Sequence, residues 1–160
     1  MKKKIAILGS TGSIGKSTLD VIRKDKKFFE VVFLSANNNY KKLIQQAKEF
    51  NVKNVLINNK TFYERTKRSL KNSKTKVYSG DVSITNIISK KIDYTMAAIV
   101  GVAGLQPTID AIKISKTVAL ANKESIICGW EIYLFLILKE KPKSKIQVKF
   151  YQVMEAYLIV

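Results

Sequence analysis

The feature that most constrains the fold is a glycine-rich segment that directly follows a short apolar run near the N-terminus. Residues 4–8 (KIAIL) have the composition of a buried strand, and an amphipathic helix is predicted over 13–23. Gly9 and Gly12 lie between these two elements, and Gly15 lies in the first turn of the predicted helix. In a strand–turn–helix unit the first glycine permits the tight turn, the second lets the backbone approach a pyrophosphate, and the third allows the helix to pack close to the strand. The segment therefore predicts a dinucleotide-phosphate site, with a purely structural turn as the alternative.

Two hydroxyl side chains of the same segment, those of Thr11 and Ser13, can add hydrogen bonds to a bound phosphate. The first N–H groups of a helix have no partner within the helix, so they are available to an anion. A glycine pattern is weak evidence by itself. Here it has a predicted strand before it, a predicted helix after it and a second strand at the expected distance, which favours the binding interpretation.

Short apolar runs alternate with helix-length amphipathic segments over most of the chain. Strands are predicted at 4–8, 30–35, 54–57, 76–78, 94–100 and 117–121, and helices at 13–23, 40–50, 61–70, 82–89 and 104–114. Strands that are apolar throughout are expected to form a parallel sheet covered on both faces. The predicted fold class is α/β: a Rossmann-like, doubly wound, mostly parallel sheet with helices on both faces, spanning residues 1–129. The alternation is lost after Trp130, so 130–160 is interpreted as a divergent tail in which 146–160 can add a strand or a helix.

The tip of the second predicted strand indicates which dinucleotide binds. A site for NAD usually places a carboxylate there to accept hydrogen bonds from the ribose 2′-OH. In this chain the tip carries three asparagines at 37–39 and no carboxylate, Glu30 lies at the other end of the strand, and Lys41 and Lys42 follow. A neutral tip followed by basic residues favours the 2′-phosphate of NADPH over NADH. The asparagines can also serve as a polar turn.

The formal net charge of +17 is compatible with binding to nucleic acid or to an anionic membrane. The basic residues are nearly all lysines, however, and they are spread from Lys2 to Lys149 without interleaved aromatic residues. Abundant Lys, Asn and Ile are typical of the amino-acid usage of an A/T-rich coding sequence, and we interpret the charge in this way. We therefore predict neither a nucleic-acid nor a membrane partner. A positive field still favours phosphorylated ligands.

Several other classes of site and location are excluded by composition. The chain has no His and a single cysteine, Cys128, so it lacks His-based triads, the common zinc sites and an intramolecular disulfide. The apolar run at the N-terminus stops at Leu8, too early for a signal peptide. The longest apolar run, 132–138, is much shorter than the ~20 residues that span a bilayer. A cytoplasmic protein is expected.

Three segments resemble, in order and spacing, the signatures of one enzyme family. They are GSTGSIGKSTLDVI from Gly9, MAAIVGVAGLQPTIDAI at 96–112 and KTVALANKESIICG at 116–129. Together they are similar to the N-terminal NADPH-binding domain of 1-deoxy-D-xylulose 5-phosphate reductoisomerase, and the resemblance covers about residues 1–129. Residues 60–91 are compatible with the family but carry no motif.

The resemblance implies an NADPH- and divalent-metal-dependent oxidoreductase of isoprenoid-precursor synthesis. Such enzymes convert 1-deoxy-D-xylulose 5-phosphate, a phosphorylated sugar, to 2-C-methyl-D-erythritol 4-phosphate with Mg²⁺, Mn²⁺ or Co²⁺, and the family forms homodimers. By the same resemblance Ala98 and Ile99 lie near the nicotinamide, and Lys123 contacts the substrate. The implied cofactor contacts are Thr11, Gly12, Ser13, Ile14, Asn38, Asn39, Asn122 and Glu124.

The chain departs from the family pattern in two places. Many members carry a glycine and a basic residue where Asn37 and Asn38 stand here. The family also places its metal-binding acids in an Asp-Ser-Glu stretch beyond the Asn-Lys-Glu motif, whereas the carboxylate side chains beyond Glu124 are Glu131, Glu140 and Glu155. Isolated carboxylates are poor ligands for hard cations, which prefer clustered oxygens.

No metal ligand and no catalytic residue is therefore predicted in this chain, and the catalytic and C-terminal helical domains of the family are expected to be absent. Only NADPH binding is expected to be retained. The tail is explained by a frameshift near residue 146, by a short form that docks a separately encoded catalytic domain, or by truncation. The alternative function is a non-catalytic dinucleotide-binding module or the product of a decaying gene.

Overall fold

A computed structural model of the chain describes residues 1–89, 91–122, 127–129, 131–132 and 147–150. Its strands are β1 (Lys3–Leu8), β2 (Phe29–Ala36), β3 (Asn54–Ile57), β4 (Lys76–Ser79), β5 (Ile92–Ala97), β6 (Ser115–Leu120) and β7 (Gln147–Phe150). Its helices are α1 (Ser13–Lys24), α2 (Tyr40–Glu49), α3 (Tyr63–Ser69), α4 (Ile84–Ile87) and α5 (Leu105–Ile114), with short 3₁₀ helices at Lys60–Phe62 and Val102–Gly104.

The strands form a 7-stranded sheet in the order β4-β3-β2-β1-β5-β6-β7. Every pairing between neighbouring strands is parallel. The chain first builds outward from β1 through β2, β3 and β4, and then crosses to the other side of β1 for β5. In open sheets of this kind ligands bind at the carboxyl ends of the strands, where the direction of building reverses. The predicted doubly wound parallel sheet is confirmed.

The helices cover both faces of the sheet because β1 alternates its side chains between two apolar cores. Ile5 and Ile7 pack in one core with Leu19 and Ile22 of α1 and Leu43 of α2. The other side chains of β1, Ala6 and Leu8, pack in the second core. This core also holds Ile84 of α4 and Ala111 and Ile112 of α5. Alternation with a period of two places successive side chains on opposite faces. The prediction of helices on both faces is thereby confirmed.

The fifth strand begins and ends earlier than the sequence predicts. The apolar pattern indicated 94–100, whereas β5 is Ile92–Ala97. Its register pairs Ala97 with Leu8, the last residue of β1, so the ladder ends where its neighbour ends. Residues 98–100 consequently lie in the loop beyond the strand, at the edge where ligands bind.

Part of the predicted tail belongs to the sheet. β7 (Gln147–Phe150) pairs in parallel with β6 and forms an edge of the sheet. A strand or helix was expected within 146–160, and a strand is observed over 147–150. The loss of alternation after Trp130 thus does not coincide with the end of the sheet, and the division of the chain at residue 129 remains a prediction.

The carboxylate of Asp93 ties three strands together at the amino edge of the sheet. Its Oδ1 accepts a hydrogen bond from Nζ of Lys116 (2.6 Å), and its Oδ2 accepts one from the backbone N–H of Lys4 (2.9 Å). The hydrogen bond from Lys116, followed by that from Lys4, holds the pKa of Asp93 below its ordinary value. A carboxyl whose pKa is lower in the folded state adds stability above its unfolded pKa, and this stability is lost as the pH falls through the folded value.

We expect Asp93→Asn to lower the free energy of unfolding at pH 7 by about 1 kcal/mol, since the side chain is partly exposed and the ion pair partly screened. The difference from the unaltered chain should shrink as the pH falls below about 4, the pKa of an unperturbed Asp. Urea unfolding at pH 7 and at pH 3 measures both values. An equal difference at the two pH values would contradict the assigned cause.

Candidate functional site

The carboxyl ends of β1, β2, β5 and β6 bring their following loops to one edge of the sheet. The loop after β5 is joined to β1 by the N–H of Ala98, which donates to the carbonyl oxygen of Leu8 (2.9 Å). The N–H of Ala121, which follows β6, donates to the carbonyl oxygen of Ala97 (3.1 Å). This edge therefore carries the predicted cofactor contacts that lie among the described residues.

Gly9 and Gly15 are required by close backbone packing. Gly9 has φ +79°, and a Cβ there would lie 2.7 Å from the carbonyl oxygen of Ala98. A Cβ on Gly15 would lie 2.4 Å from the carbonyl oxygen of Gly9 and 2.6 Å from Cα of Ser10. These contacts confirm the predicted role of Gly9 in the tight turn. Gly15 was predicted to let the helix pack close to the strand, and the backbone atoms nearest to it are those of Gly9 and Ser10, in the turn that follows β1.

Gly12 differs from these two glycines because nothing in the described structure crowds it. Its φ is −73°, which any residue adopts, and a Cβ would meet only the carbonyl oxygen of Gly9 at 3.4 Å. The residue is exposed. The turn therefore leaves open space at the position where the sequence predicts the approach of a pyrophosphate, and that role of Gly12 remains a prediction.

The N-terminus of α1 has the electrostatic character of an anion site. Gly12 is its N-cap, no side chain caps the helix, and its first turn contains no acidic residue. The N–H groups of the first turn have no acceptor within a helix, and the helix dipole adds a partial positive charge. Ser13 is exposed, and Thr11 and Ile14 are half-buried beside it. The four predicted contacts Thr11–Ile14 are thus brought together around a turn that can receive a phosphate.

The asparagines at the tip of β2 are engaged in hydrogen bonds of the fold. Oδ1 of Asn39 accepts from the backbone N–H of Lys42 (3.1 Å), so Asn39 caps α2. Oδ1 of Asn38 accepts from Nδ2 of Asn59 (2.9 Å), and the backbone N–H of Asn59 donates to the carbonyl oxygen of Asn37 (3.1 Å). The polar turn and the predicted cofactor contacts are compatible, because these bonds use the oxygens of Asn38 and Asn39 and leave their NH₂ groups as donors.

Asn122 holds the loop after β5 in place. The residue is 5% exposed, and its Nδ2 donates to the carbonyl oxygens of Ile99 (2.6 Å) and Gly101 (2.7 Å). Ala98 is buried and Ile99 is half-buried, whereas Val100 is exposed at the rim. Asn122 therefore joins the end of β6 to the loop from which nicotinamide contacts were predicted. The other two residues of the motif, Lys123 and Glu124, lie outside the described residues.

Neither a metal cluster nor a membrane span is found in the described part of the chain. Within the ranges given above, no group of three or more His, Cys, Asp or Glu side chains could hold a metal ion. Among the same residues, no helix has the length and apolar character needed to cross a bilayer.

Two polar residues at this edge were missed by sequence reasoning. Asn59 follows β3 and bonds to Asn38, and Gln46 of α2 is buried against the glycine turn. Neither belongs to a recognisable motif. Their proximity to the site depends on how β2, β3 and α2 are placed beside β1.

A parallel sheet whose carboxyl edge carries a glycine turn and an uncapped helix N-terminus defines a Rossmann-like α/β protein. The family model for 1-deoxy-D-xylulose 5-phosphate reductoisomerase matches residues 5–129. The chain therefore belongs to the 1-deoxy-D-xylulose 5-phosphate reductoisomerase family.

Curated relatives with the same name are similar over most of this chain but extend well beyond the match. The reductoisomerase of Pelagibacter ubique is 52% identical over 145 residues, which cover 89% of this chain and 36% of the relative. That of Wolbachia pipientis subsp. Culex pipiens is 43% identical over 147 residues, covering 91% and 37%. The chain thus spans little more than a third of the length of these relatives.

Solved structures of the family superimpose closely on the fold. The Zymomonas mobilis reductoisomerase in complex with NADPH gives a TM-score of 0.87 at 34% identity, covering 95% of this chain and 39% of that one. A reductoisomerase in complex with NADPH, fosmidomycin and magnesium gives 0.81 at 29% identity, covering 92% and 36%.

Proposed function

We propose that this chain binds NADPH at the carboxyl edge of its sheet, with the pyrophosphate against the turn from Gly9 to Gly12 and the first residues of α1. The observation that carries the proposal is the open position at Gly12, beside a helix N-terminus without a side-chain cap. Backbone N–H groups there can donate to phosphate oxygens. The NADPH complex of the similar Zymomonas mobilis enzyme supports the same cofactor.

In this proposal Thr11, Gly12, Ser13 and Ile14 bind the pyrophosphate side of the cofactor. Asn38 and Asn39 lie toward the ribose 2′-phosphate, and the loop held by Asn122 forms a wall of the nicotinamide site. Glu124 and Lys123, which follow Asn122, are proposed to contact the cofactor and the phosphorylated substrate respectively. These roles distribute the cofactor over the loops after β1, β2, β5 and β6.

The reaction proposed for the protein to which this chain belongs is the conversion of 1-deoxy-D-xylulose 5-phosphate to 2-C-methyl-D-erythritol 4-phosphate. NADPH supplies the hydride for the reduction. The described residues include no acidic cluster for a divalent metal, so no step through a metal is derived for them. We further propose that the protein is a cytoplasmic homodimer, as the family resemblance implies.

Selection between NADPH and NADH is proposed to depend on Asn38. Because its Oδ1 accepts from Asn59, its NH₂ group is left to donate to a 2′-phosphate. We expect Asn38→Asp to keep the bond from Asn59 and to place a negative charge where the 2′-phosphate lies. NADPH affinity should fall by about tenfold or more, equivalent to about 1.4 kcal/mol, while NADH affinity stays equal or rises.

Calorimetric titration of the 160-residue chain with both cofactors measures this change. Asn51→Asp is the matched control, because it changes the net charge equally and lies between α2 and β3, at the amino edge of the sheet. Its φ of +50° is a conformation that Asp tolerates. The role of Asn38 would be refuted by an equal loss of NADPH affinity in both variants, or by equal losses of NADPH and NADH affinity in Asn38→Asp.

A further inference from the structure

A buried glutamine of α2 forms two hydrogen bonds to one residue of the glycine turn, one from each end of its side-chain amide. Gln46 is 3% exposed. Its Nε2 donates to the carbonyl oxygen of Ser10 (2.9 Å), and its Oε1 accepts from the hydroxyl of Ser10 (2.8 Å). Two hydrogen bonds from one planar group fix the orientation of Ser10 as well as its position.

The same residue of the turn is held from a second side by the end of β2. Ser10 is fully buried, and its N–H donates to the carbonyl oxygen of Ser35 (2.8 Å). The N–H of Gly9 donates to the hydroxyl of Ser35 (3.1 Å). The backbone of Gly9 and Ser10 is thus fixed between β2 and α2, immediately before the residues that would receive the pyrophosphate.

Packing alone does not account for a glutamine at this buried position. Burying an amide is unfavourable unless its hydrogen bonds are made, and an apolar side chain of similar volume can be equally stable. Glycine-rich backbone is also conformationally free, so ordering it when a ligand binds lowers the affinity. Hydrogen bonds that order the turn beforehand remove part of that cost.

We propose that Gln46 is a positioning residue for cofactor binding: by holding Ser10 it sets the turn so that the N–H groups in the first turn of α1 face the pyrophosphate. Gln46 does not touch the cofactor itself in this arrangement. The inference rests on the proposed binding of NADPH to the turn. It predicts an effect confined to the pyrophosphate part of the ligand, which a general loosening of the fold would not produce.

The test compares Gln46→Met with Gln45→Met in the full 160-residue chain. Methionine keeps the length and helix propensity of glutamine but removes the hydrogen bonds. Gln45 is the adjacent, exposed glutamine of the same helix and is the matched control. Dissociation constants are measured by calorimetry for NADPH and for adenosine 2′-phosphate, which carries the 2′-phosphate but no pyrophosphate.

We expect Gln46→Met to weaken NADPH binding roughly tenfold and adenosine 2′-phosphate binding less than about twofold, with both unchanged in Gln45→Met. Unchanged NADPH affinity in folded Gln46→Met overturns the inference. Equal losses for the two ligands also overturn it, since they indicate a purely structural role. If Gln46→Met does not fold, Ser10→Ala is used instead. It removes the hydroxyl contacts with Gln46 and with the carbonyl oxygen of Ser35 but keeps the bond from Nε2 of Gln46. A loss of roughly threefold for NADPH is then expected, and no loss overturns the inference.

Hydrogen exchange separates failure of this inference from failure of the proposed function. An unaltered chain that is folded but binds no NADPH contradicts the proposed function. The positioning of the turn by Gln46 is then tested by the hydrogen-exchange rate of the Ser10 backbone amide. This amide should exchange faster in Gln46→Met than in the unaltered chain or in Gln45→Met. Equal exchange rates in the three proteins would overturn the positioning role.

Discussion

Replacement of Gly15 by alanine is expected to destabilise the fold by about 2–3 kcal/mol, at the upper end of the range for overpacking. The added Cβ would lie 2.4 Å from the carbonyl oxygen of Gly9 and 2.6 Å from Cα of Ser10. Both are backbone atoms, and neither can move easily, because Gly9 already packs against Ala98 and Ser10 is bonded to Gln46. The first turn of α1 must therefore shift away from the backbone of Gly9 and Ser10. Urea unfolding followed by circular dichroism measures the loss.

Gly12→Ala is the matched control in the same turn. Its Cβ would meet its nearest neighbour at an ordinary distance of 3.4 Å, and its φ of −73° suits alanine. Alanine is a poorer N-cap than glycine, so a loss of less than about 1 kcal/mol is expected. NADPH affinity should nevertheless fall at least about tenfold, because the methyl group would occupy the space proposed for the pyrophosphate. Equal stability losses in the two variants would contradict the distinction drawn between these glycines.

Asn122→Asp is expected to cost about 3 kcal/mol of stability and to loosen the loop after β5. The substitution is isosteric but exchanges a donor for a charged acceptor, which would then face the carbonyl oxygens of Ile99 and Gly101 at 2.6 and 2.7 Å. Losing two hydrogen bonds at a buried site and placing a carboxylate oxygen against two carbonyl oxygens are both unfavourable. Urea unfolding measures the loss, and hydrogen exchange over residues 98–104 detects the loosened loop.

Asn58→Asp is the matched control for this substitution, because Asn58 is an exposed asparagine that also follows a strand at the carboxyl edge. It should change stability by less than about 0.5 kcal/mol, as is usual for surface positions. If the two variants were equally stable, the bonds from Asn122 would not hold the loop as the structure indicates.

Most of the sheet could be predicted because its strands are short, apolar and separated by amphipathic helices. The glycine spacing identified both the first strand–turn–helix unit and the positions where a Cβ cannot fit. The boundary of β5 could not be predicted in the same way. Residues 98–100 are as apolar as the strand before them, and the strand ends at Ala97 because its partner β1 ends at Leu8, a tertiary constraint absent from the local pattern.

The supporting residues of the site were harder to predict because they are distant in sequence and lack a motif. Gln46 is separated by 36 positions from Ser10, and it stands beside a second glutamine that is exposed. The helical phase carried a signal, since Gln46 lies on the face that includes Leu43 and Ala47. A polar residue on an apolar helix face predicts a buried hydrogen-bond partner. Asn59 offered no comparable signal, because its contact with Asn38 depends on the parallel pairing of β2 and β3.

The central claim is that NADPH binds at the carboxyl edge of the sheet, and an NMR titration of the backbone amides of the 160-residue chain tests it most directly. We predict saturable shift changes concentrated at residues 11–14, 38–39 and 98–99, with smaller changes for NADH at the same positions. A cleft between α3 and β4, lined by Lys67, Lys71 and Lys76, is the competing place for a polyphosphate on this basic chain. Shift changes confined to that cleft, or none in a folded chain, would contradict the account.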